Sequence, residues 1–159
     1  MKKLVIIQTT TPDYRAVFYK SIYNSLKENF EIYSGDCYFE SSVKSSDKVQ
    51  RNRINNYFLL NRKFLFQTGI WHLLFNDIVL VLEMNPRILS NWFFLIVRNL
   101  FRKKTVLWGH AWPRSGALSK SDFVRGLMRK LASKIIVYTK QQQKELNKRQ
   151  QEEQNKQNL

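Results

Sequence analysis

Residues 105–114 read T-V-L-W-G-H-A-W-P-R. A short apolar run, Thr105–Trp108, stops at Gly109, and a histidine, a tryptophan, a proline and an arginine follow at once. The pattern predicts a buried strand that delivers the chain into a functional loop. In open α/β sheets ligands bind just beyond the carboxyl ends of the strands, which is where His110 and Arg114 fall. Two other stretches repeat the arrangement: Leu4–Ile7 leads into T-T-T-P-D-Y-R, and Ile78–Leu82 leads into E-M-N-P-R. Each of the three prolines follows a predicted strand, with Arg15, Arg87 or Arg114 within three residues of it. Parallel strands bring these arginines to one edge of one sheet.

The rest of the chain alternates in the same way. Thr11 and Pro12 stand where an N-cap and a first helical residue belong. A helix to about Asn29 is expected, with Val17, Phe18, Ile22, Leu26 and Tyr14 at helical spacing. Phe30–Tyr33 reads as a strand ended by Ser34-Gly35-Asp36, residues 40–56 as a long polar loop, and residues 57–66 as one strand. Trp71–Phe75 reads as a short helix. I-V-L-V-L at 78–82 is apolar on both faces, as an interior parallel strand should be. Asn85-Pro86 repeats the cap-then-proline pair, and a well-buried helix is expected over 88–101. Ser119 or Ser121 caps a helix to about Ala132, with Phe123, Leu127, Met128 and Leu131 on one face and Arg125, Arg129 and Lys130 pointing elsewhere. Ile135–Tyr138 is the last strand, Thr139 caps a final helix from Lys140, and the Gln/Asn-rich tract over 147–159 has nothing to bury and is expected to fray. The alternation predicts an α/β fold: a Rossmann-like parallel sheet flanked by helices, in one domain over 1–146.

Composition narrows the function. The chain has 159 residues and a formal charge of +15, with 43% hydrophobic residues. Residues 51–139 carry 15 basic and 3 acidic groups, net +12, so the excess lies in the folded region rather than in a tail. Such a surface attracts an anionic lipid leaflet, nucleic acid or a phosphorylated substrate; a solvated basic surface is the alternative. No apolar run approaches the ~20 residues of a membrane span, and the N-terminal run is too short for a secretory signal. A cytoplasmic protein is expected, peripheral at the inner membrane face. Cys37 is the only cysteine, and His72 and His110 lie 38 residues apart, so no zinc spacing exists. No G-x-G-x-x-G, P-loop or G-x-S-x-G motif is present.

His110 is the strongest candidate for catalysis or ligand contact. Its unperturbed pKa near ~6.5 suits proton transfer, and Gly109 before it lets a ligand approach the backbone. Arg15, Arg87 and Arg114 suit bidentate recognition of phosphate or carboxylate, with surface ion pairing as the alternative. Arg15 stands against the dipole of the helix it opens, which suggests an anionic partner or a specific carboxylate. Glu83 ends the clearest strand and is placed to hold Arg87 or a substrate hydroxyl. Trp108 and Trp112 serve as stacking surfaces or as packing. His72, in W-H-L-L-F, reads as a packed histidine.

Three stretches together, T-P-x-Y-R after the first strand, L-E-x-N-P-R-x-L-S-N-W after a middle strand and L-W-G-H after the next, resemble glycosyltransferases of GT-B fold. The resemblance is to the family-4-like group of bacterial polysaccharide-building enzymes and covers about residues 1–146. It implies the N-terminal, acceptor-side domain of an enzyme that moves a sugar from a nucleotide sugar to a lipid-linked or polysaccharide acceptor, with no metal or cofactor beyond the donor substrate. It places His110 against the donor sugar, and Arg15, Glu83, Arg87, Trp112 and Arg114 around the substrates. The family's glycine pair after the first strand is replaced here by Thr9-Thr10-Thr11-Pro12, and the E-x₇-E pattern of the C-terminal, donor-binding half has no counterpart. This chain alone is therefore expected to fold without turning over a nucleotide sugar. The rival expectation is a basic α/β module that binds nucleic acid or a protein without catalysis, with its aromatic residues as stacking platforms.

Overall fold

The computed structural model describes residues 2–112 and 120–157. Six strands form one parallel sheet: β1 (Leu4–Gln8), β2 (Phe30–Ser34), β3 (Asn52–Arg53), β6 (Val79–Glu83), β7 (Thr105–Trp108) and β8 (Lys134–Ile136). Their order is β3-β2-β1-β6-β7-β8. Counting parallel strands alone, this is the 3-2-1-4-5-6 order of a doubly wound sheet, which reverses direction between β1 and β6. Among the described residues four α-helices accompany it: α1 (Ala16–Leu26), α2 (Leu89–Leu100), α3 (Lys120–Leu131) and α4 (Lys140–Gln157).

The central strands are buried on both faces, as their unbroken apolar runs require. Alternate residues go to opposite layers. Val5, Ile7, Leu80, Leu82 and Leu107 pack with Phe94 and Leu95 of α2 and Met128 of α3. Ile6, Ile32, Val81 and Val106 pack on the other face with Tyr19, Ile22 and Leu26 of α1.

Several elements differ from the sequence reading. Residues 57–66 are not one strand but most of an antiparallel hairpin, β4 (Asn55–Leu59) and β5 (Phe64–Thr68). The turn was hidden because Leu60, Asn61 and Arg62, none of them glycine, take left-handed φ values of 49°, 52° and 62°. Residues 71–73 form a 3₁₀ turn. Thr11 does not cap α1: a 3₁₀ turn over Asp13–Arg15 intervenes, and buried Thr11 lies with its hydroxyl 3.2 Å from that of Ser34. Tyr14 and Val17 are exposed, and Tyr19 is the fully buried residue of α1. Asn85 likewise closes a turn, its Oδ1 accepting from the Arg87 N–H at 3.1 Å, rather than capping α2. α2 is buried on one side only; Phe94 and Leu95 are inside, while Leu89, Phe93, Ile96 and Leu100 face out.

On α3, Phe123 and Leu127 are exposed, and Arg125 and Arg129 point inward. Ser121 lies inside this helix, and Ser119 lies outside the described residues. Thr139 does cap α4, its Oγ1 accepting from the Gln142 N–H at 3.1 Å. That helix continues to Gln157, through the tract where fraying is expected. His72 is exposed rather than packed, with Nε2 3.3 Å from the Tyr33 hydroxyl. No described helix is long and apolar enough to cross a membrane.

Candidate functional site: a cleft at the carboxyl edge

The loops after β1, β6 and β7 leave the sheet side by side, because β1 pairs with β6 and β6 with β7, all parallel. Between them, at the point where the strand order reverses, lies a cleft of about 1070 Å³. Arg15, Glu83, Arg87, His110 and Trp112 all line it. Arg114 lies outside the described residues. The doubly wound topology thus collects residues that are 97 positions apart in the chain, from Arg15 to Trp112, around one opening.

Glu83 ends β6 on the cleft floor, opposite Trp108 in the sheet register. Its Oε2 accepts from the Thr9 backbone N–H at 3.0 Å and from the Thr9 hydroxyl. Burial nevertheless holds its pKa above the usual carboxyl range, against the lowering effect of those bonds and of Arg15. Arg15 is fixed from two sides. It donates to Gln8 Oε1 and to the Tyr138 hydroxyl, each at 3.0 Å, and its guanidinium stands 5.2 Å from the Trp108 ring centre. Burial raises the pKa of Tyr138, which keeps that hydroxyl protonated.

His110 is exposed at the rim, its ring centre 4.5 Å from that of Tyr138 and its Nδ1 3.5 Å from Gln142 Nε2. Gly109 before it is required by the fold as well as open to the cleft. A Cβ there would meet Met84 Cβ at 3.0 Å, so the missing side chain lets the β6 and β7 loops pack together.

Two candidates have structural duties. Arg87 donates to the carbonyls of Arg62 at 2.6 Å and Lys63 at 2.7 Å, and its guanidinium covers the Phe39 ring at 3.9 Å. It straps the β4–β5 turn to the loop after β6. Trp112 donates from Nε1 to Glu145 Oε2 at 2.9 Å, and its ring faces Arg149 at 4.2 Å and Arg129 at 5.2 Å. It pins the β7 loop to α3 and α4.

Other lining residues went unnoticed in the sequence: Gln8, Tyr38, Arg62, Arg125 and Tyr138. Tyr138 follows β8 closely, so the strand-end rule that found His110 applies to it as well. Arg62 was concealed by the unseen hairpin turn. Arg125 bridges the loops after β6 and β7, donating from Nη1 to the carbonyls of Met84 and His110, each at 2.9 Å. Its buried Nε has no acceptor in the structure among the described residues. Among these residues Arg15, Arg62, Arg87 and Arg125 all line the cleft, and none has a carboxylate within 4 Å. The opening is cationic: among the described residues that line it, the acidic ones are Glu83 and Glu40. The described residues hold no cluster of His, Cys, Asp and Glu able to bind a metal. Comparison of the chain with protein-family models, with proteins of known function and with solved structures finds no match.

Proposed function

We propose that this domain is the acceptor side of a glycosyltransferase, one that moves a sugar from a nucleotide sugar to a lipid-linked or polysaccharide acceptor. The observation that carries the reading is the cleft itself. Arg15, Arg62, Arg87 and Arg125, none with a carboxylate within 4 Å among the described residues, line one opening at the reversal point of a doubly wound sheet, with the half-buried Glu83 on its floor beside Arg15. Cations set in a partly dry cleft favour a phosphate-bearing ligand, and its volume exceeds that of an ordinary drug-sized pocket.

In this reading Glu83 takes the proton of the acceptor hydroxyl. A carboxyl whose pKa is raised by burial is a better base than an exposed one, and the two bonds from Thr9 orient it. The freed oxygen attacks the anomeric carbon of the donor as the bond to the diphosphate breaks. His110, at the rim, faces the donor sugar, and Arg15 and Arg125 balance phosphate charge. A second domain closing over the rim would complete the donor site and exclude water.

Titration calorimetry of the 159-residue chain tests this. The ligands are UDP-glucose, UDP-N-acetylglucosamine, GDP-mannose and a short-chain prenyl-diphosphate-linked hexosamine. Saturable binding of the prenyl-linked sugar that is lost in Arg15→Ala supports the reading; absence of saturable binding by every ligand overturns it. The net charge of +15 favours a nucleic-acid module as the competing reading. Steep weakening of oligonucleotide binding with log salt would mark that module, together with indifference to Arg15→Ala.

A further inference from the structure

We infer that the outer face of α2 is a self-association surface, on which α2 of a second copy of this chain lies antiparallel about a twofold axis. The inference does not depend on the chemistry proposed for the cleft. Leu89, Phe93, Ile96 and Leu100 recur at spacings of four, three and four. That spacing is the apolar seam along which one helix packs its side chains into the holes of another. All four residues are exposed, Leu100 at 76%, while Phe94 and Leu95 on the opposite side are fully buried. The helix has therefore filled its core side and carries a second seam that the described residues leave uncovered. Phe93 is held in place from inside: Trp71 meets it edge-on at 5.4 Å between ring centres and stacks on buried Phe94 at 5.5 Å. Phe101 and Phe75, both exposed and edge-on to each other at 5.3 Å, extend the row at its carboxyl end.

Area and charge select the occupant. Taking about 200 Å² for a fully exposed side chain of this size, these six residues expose roughly 650 Å². The largest apolar patch of a typical monomer is about 300–600 Å², and a stable complex buries about 800 Å² on each partner. The row thus supplies most of one side of a dimer. The exposed residues of α2 are Leu89, Phe93, Ile96, Asn99 and Leu100; its only charged residue, Arg98, is fully buried. A chain of net charge +15 repels its own copies over most of its surface, and on this face two copies meet without opposing like charges. A lipid-bound helix would carry Lys or Arg along its polar edges, and α2 exposes neither. Orientation follows from the cations just past the helix end, where Arg102 and Lys104 are exposed. A parallel pair sets them beside their equivalents. An antiparallel pair holds them about 20 Å apart, beyond the screening length of about 8 Å at physiological salt, and aligns the two helix dipoles favourably. About the twofold axis Leu89 then faces the partner's Leu100 and Phe93 faces the partner's Ile96, so one self-complementary seam serves both copies.

Sedimentation equilibrium of the full chain over a micromolar concentration series tests this. The wild type is compared with Ile96→Lys, with Leu100→Lys and with the double variant Leu89→Glu/Leu100→Lys. All the changed side chains are exposed, so circular dichroism should report the native fold in each. The wild type is expected to dimerise, and to do so more tightly as salt screens the remaining repulsion. Ile96→Lys sets an ammonium against the partner's Phe93 and should weaken association at least about hundredfold. Leu100→Lys should weaken it at least about tenfold. The double variant should recover most of that loss, because an antiparallel pair brings each new carboxylate to a new ammonium. A wild-type chain that stays monomeric throughout overturns the inference, as does an Ile96→Lys variant that dimerises like the wild type. A double variant that associates more weakly than Leu100→Lys alone overturns the antiparallel arrangement. Flotation of a monomeric wild type with phosphatidylglycerol vesicles would give the face to lipid instead.

Discussion

Replacing Arg98 by methionine should cost about 3 kcal/mol of stability, although the substitution keeps the volume of the side chain and removes a buried charge. Arg98 is fully buried near the end of α2. Its Nε donates to Thr105 Oγ1 at 3.1 Å; its Nη1 donates to the carbonyls of Leu73, Leu74 and Asn76 at 2.9, 3.0 and 3.2 Å; its Nη2 donates to those of Ile78 and Lys104 at 2.9 and 3.0 Å. One guanidinium thus gathers the segment from 73 to 78 and the loop before β7 at the amino-terminal edge of the sheet. No described carboxylate lies within 4 Å; burial pushes its pKa down, with Asp77 opposing at longer range. The carbonyls of Asn76 and Lys104 keep a backbone donor each, from Ile78 at 3.0 Å and Leu80 at 3.4 Å. The other three, at about 1–2 kcal/mol each, put the loss at about 3–6 kcal/mol. Relief from burying an unpaired cation returns part of it. The net figure lowers Tm by roughly 6–12 °C in a chain of this size. Thermal unfolding followed by circular dichroism measures it, with Arg102→Met as a surface control that should move Tm by less than about 2 °C. An Arg98→Met variant as stable as that control would refute the reasoning and show that packing alone holds this edge.

Three further outcomes follow from the geometry. The raised pKa of Glu83 means that the native state keeps a proton the unfolded chain has lost; the stability this confers is full below about pH 4 and is lost as pH rises through the native value. Glu83→Gln, which still offers Thr9 an acceptor, should raise Tm at pH 7 and leave it unchanged at pH 4; the reverse pattern would contradict the assignment. Asp122, 8% exposed, binds Arg129 of α3 at 3.2 Å and Arg149 of α4 at 3.1 Å. Asp122→Ala should cost about 3 kcal/mol in urea unfolding and speed amide exchange along α4. Arg87→Ala should cost only about 1 kcal/mol overall yet markedly speed amide exchange in residues 60–63, whose left-handed turn it straps; unchanged exchange there would show that the turn holds itself.

The parallel sheet was legible in the sequence because its interior strands are continuous apolar runs: Leu4–Ile7, Ile78–Leu82 and Thr105–Trp108 each lie within one residue of a strand end. The shared cleft followed from one rule, that parallel strands deliver their carboxyl ends to one edge, and the structure gathers Arg15, Glu83, Arg87, His110 and Trp112 there. What stayed hidden depends on contacts that periodicity does not encode. Leu60, Asn61 and Arg62 turn with φ values that residue type does not announce. The α2 residues 92–97 are apolar nearly all round, so spacing alone does not reveal which side meets the sheet. Arg125 and Arg129 look like surface cations until the backbone shows carbonyls waiting for them in the loops after β6 and β7. Arg87 and Trp112 were found by position, but their bonding partners, and with them their structural duties, come only from the folded chain.

The central claim is that the carboxyl-edge cleft binds a phosphate-bearing glycosyl ligand. Backbone amide chemical-shift mapping of the ¹⁵N-labelled chain, titrated with the short-chain prenyl-diphosphate-linked hexosamine, tests it most directly. The account predicts saturable shifts confined to residues 9–15, 83–87, 108–112 and 138–142, with the largest at Arg15 and His110. Shifts spread along α2 with none at the cleft, or no saturable shift at all, would contradict it.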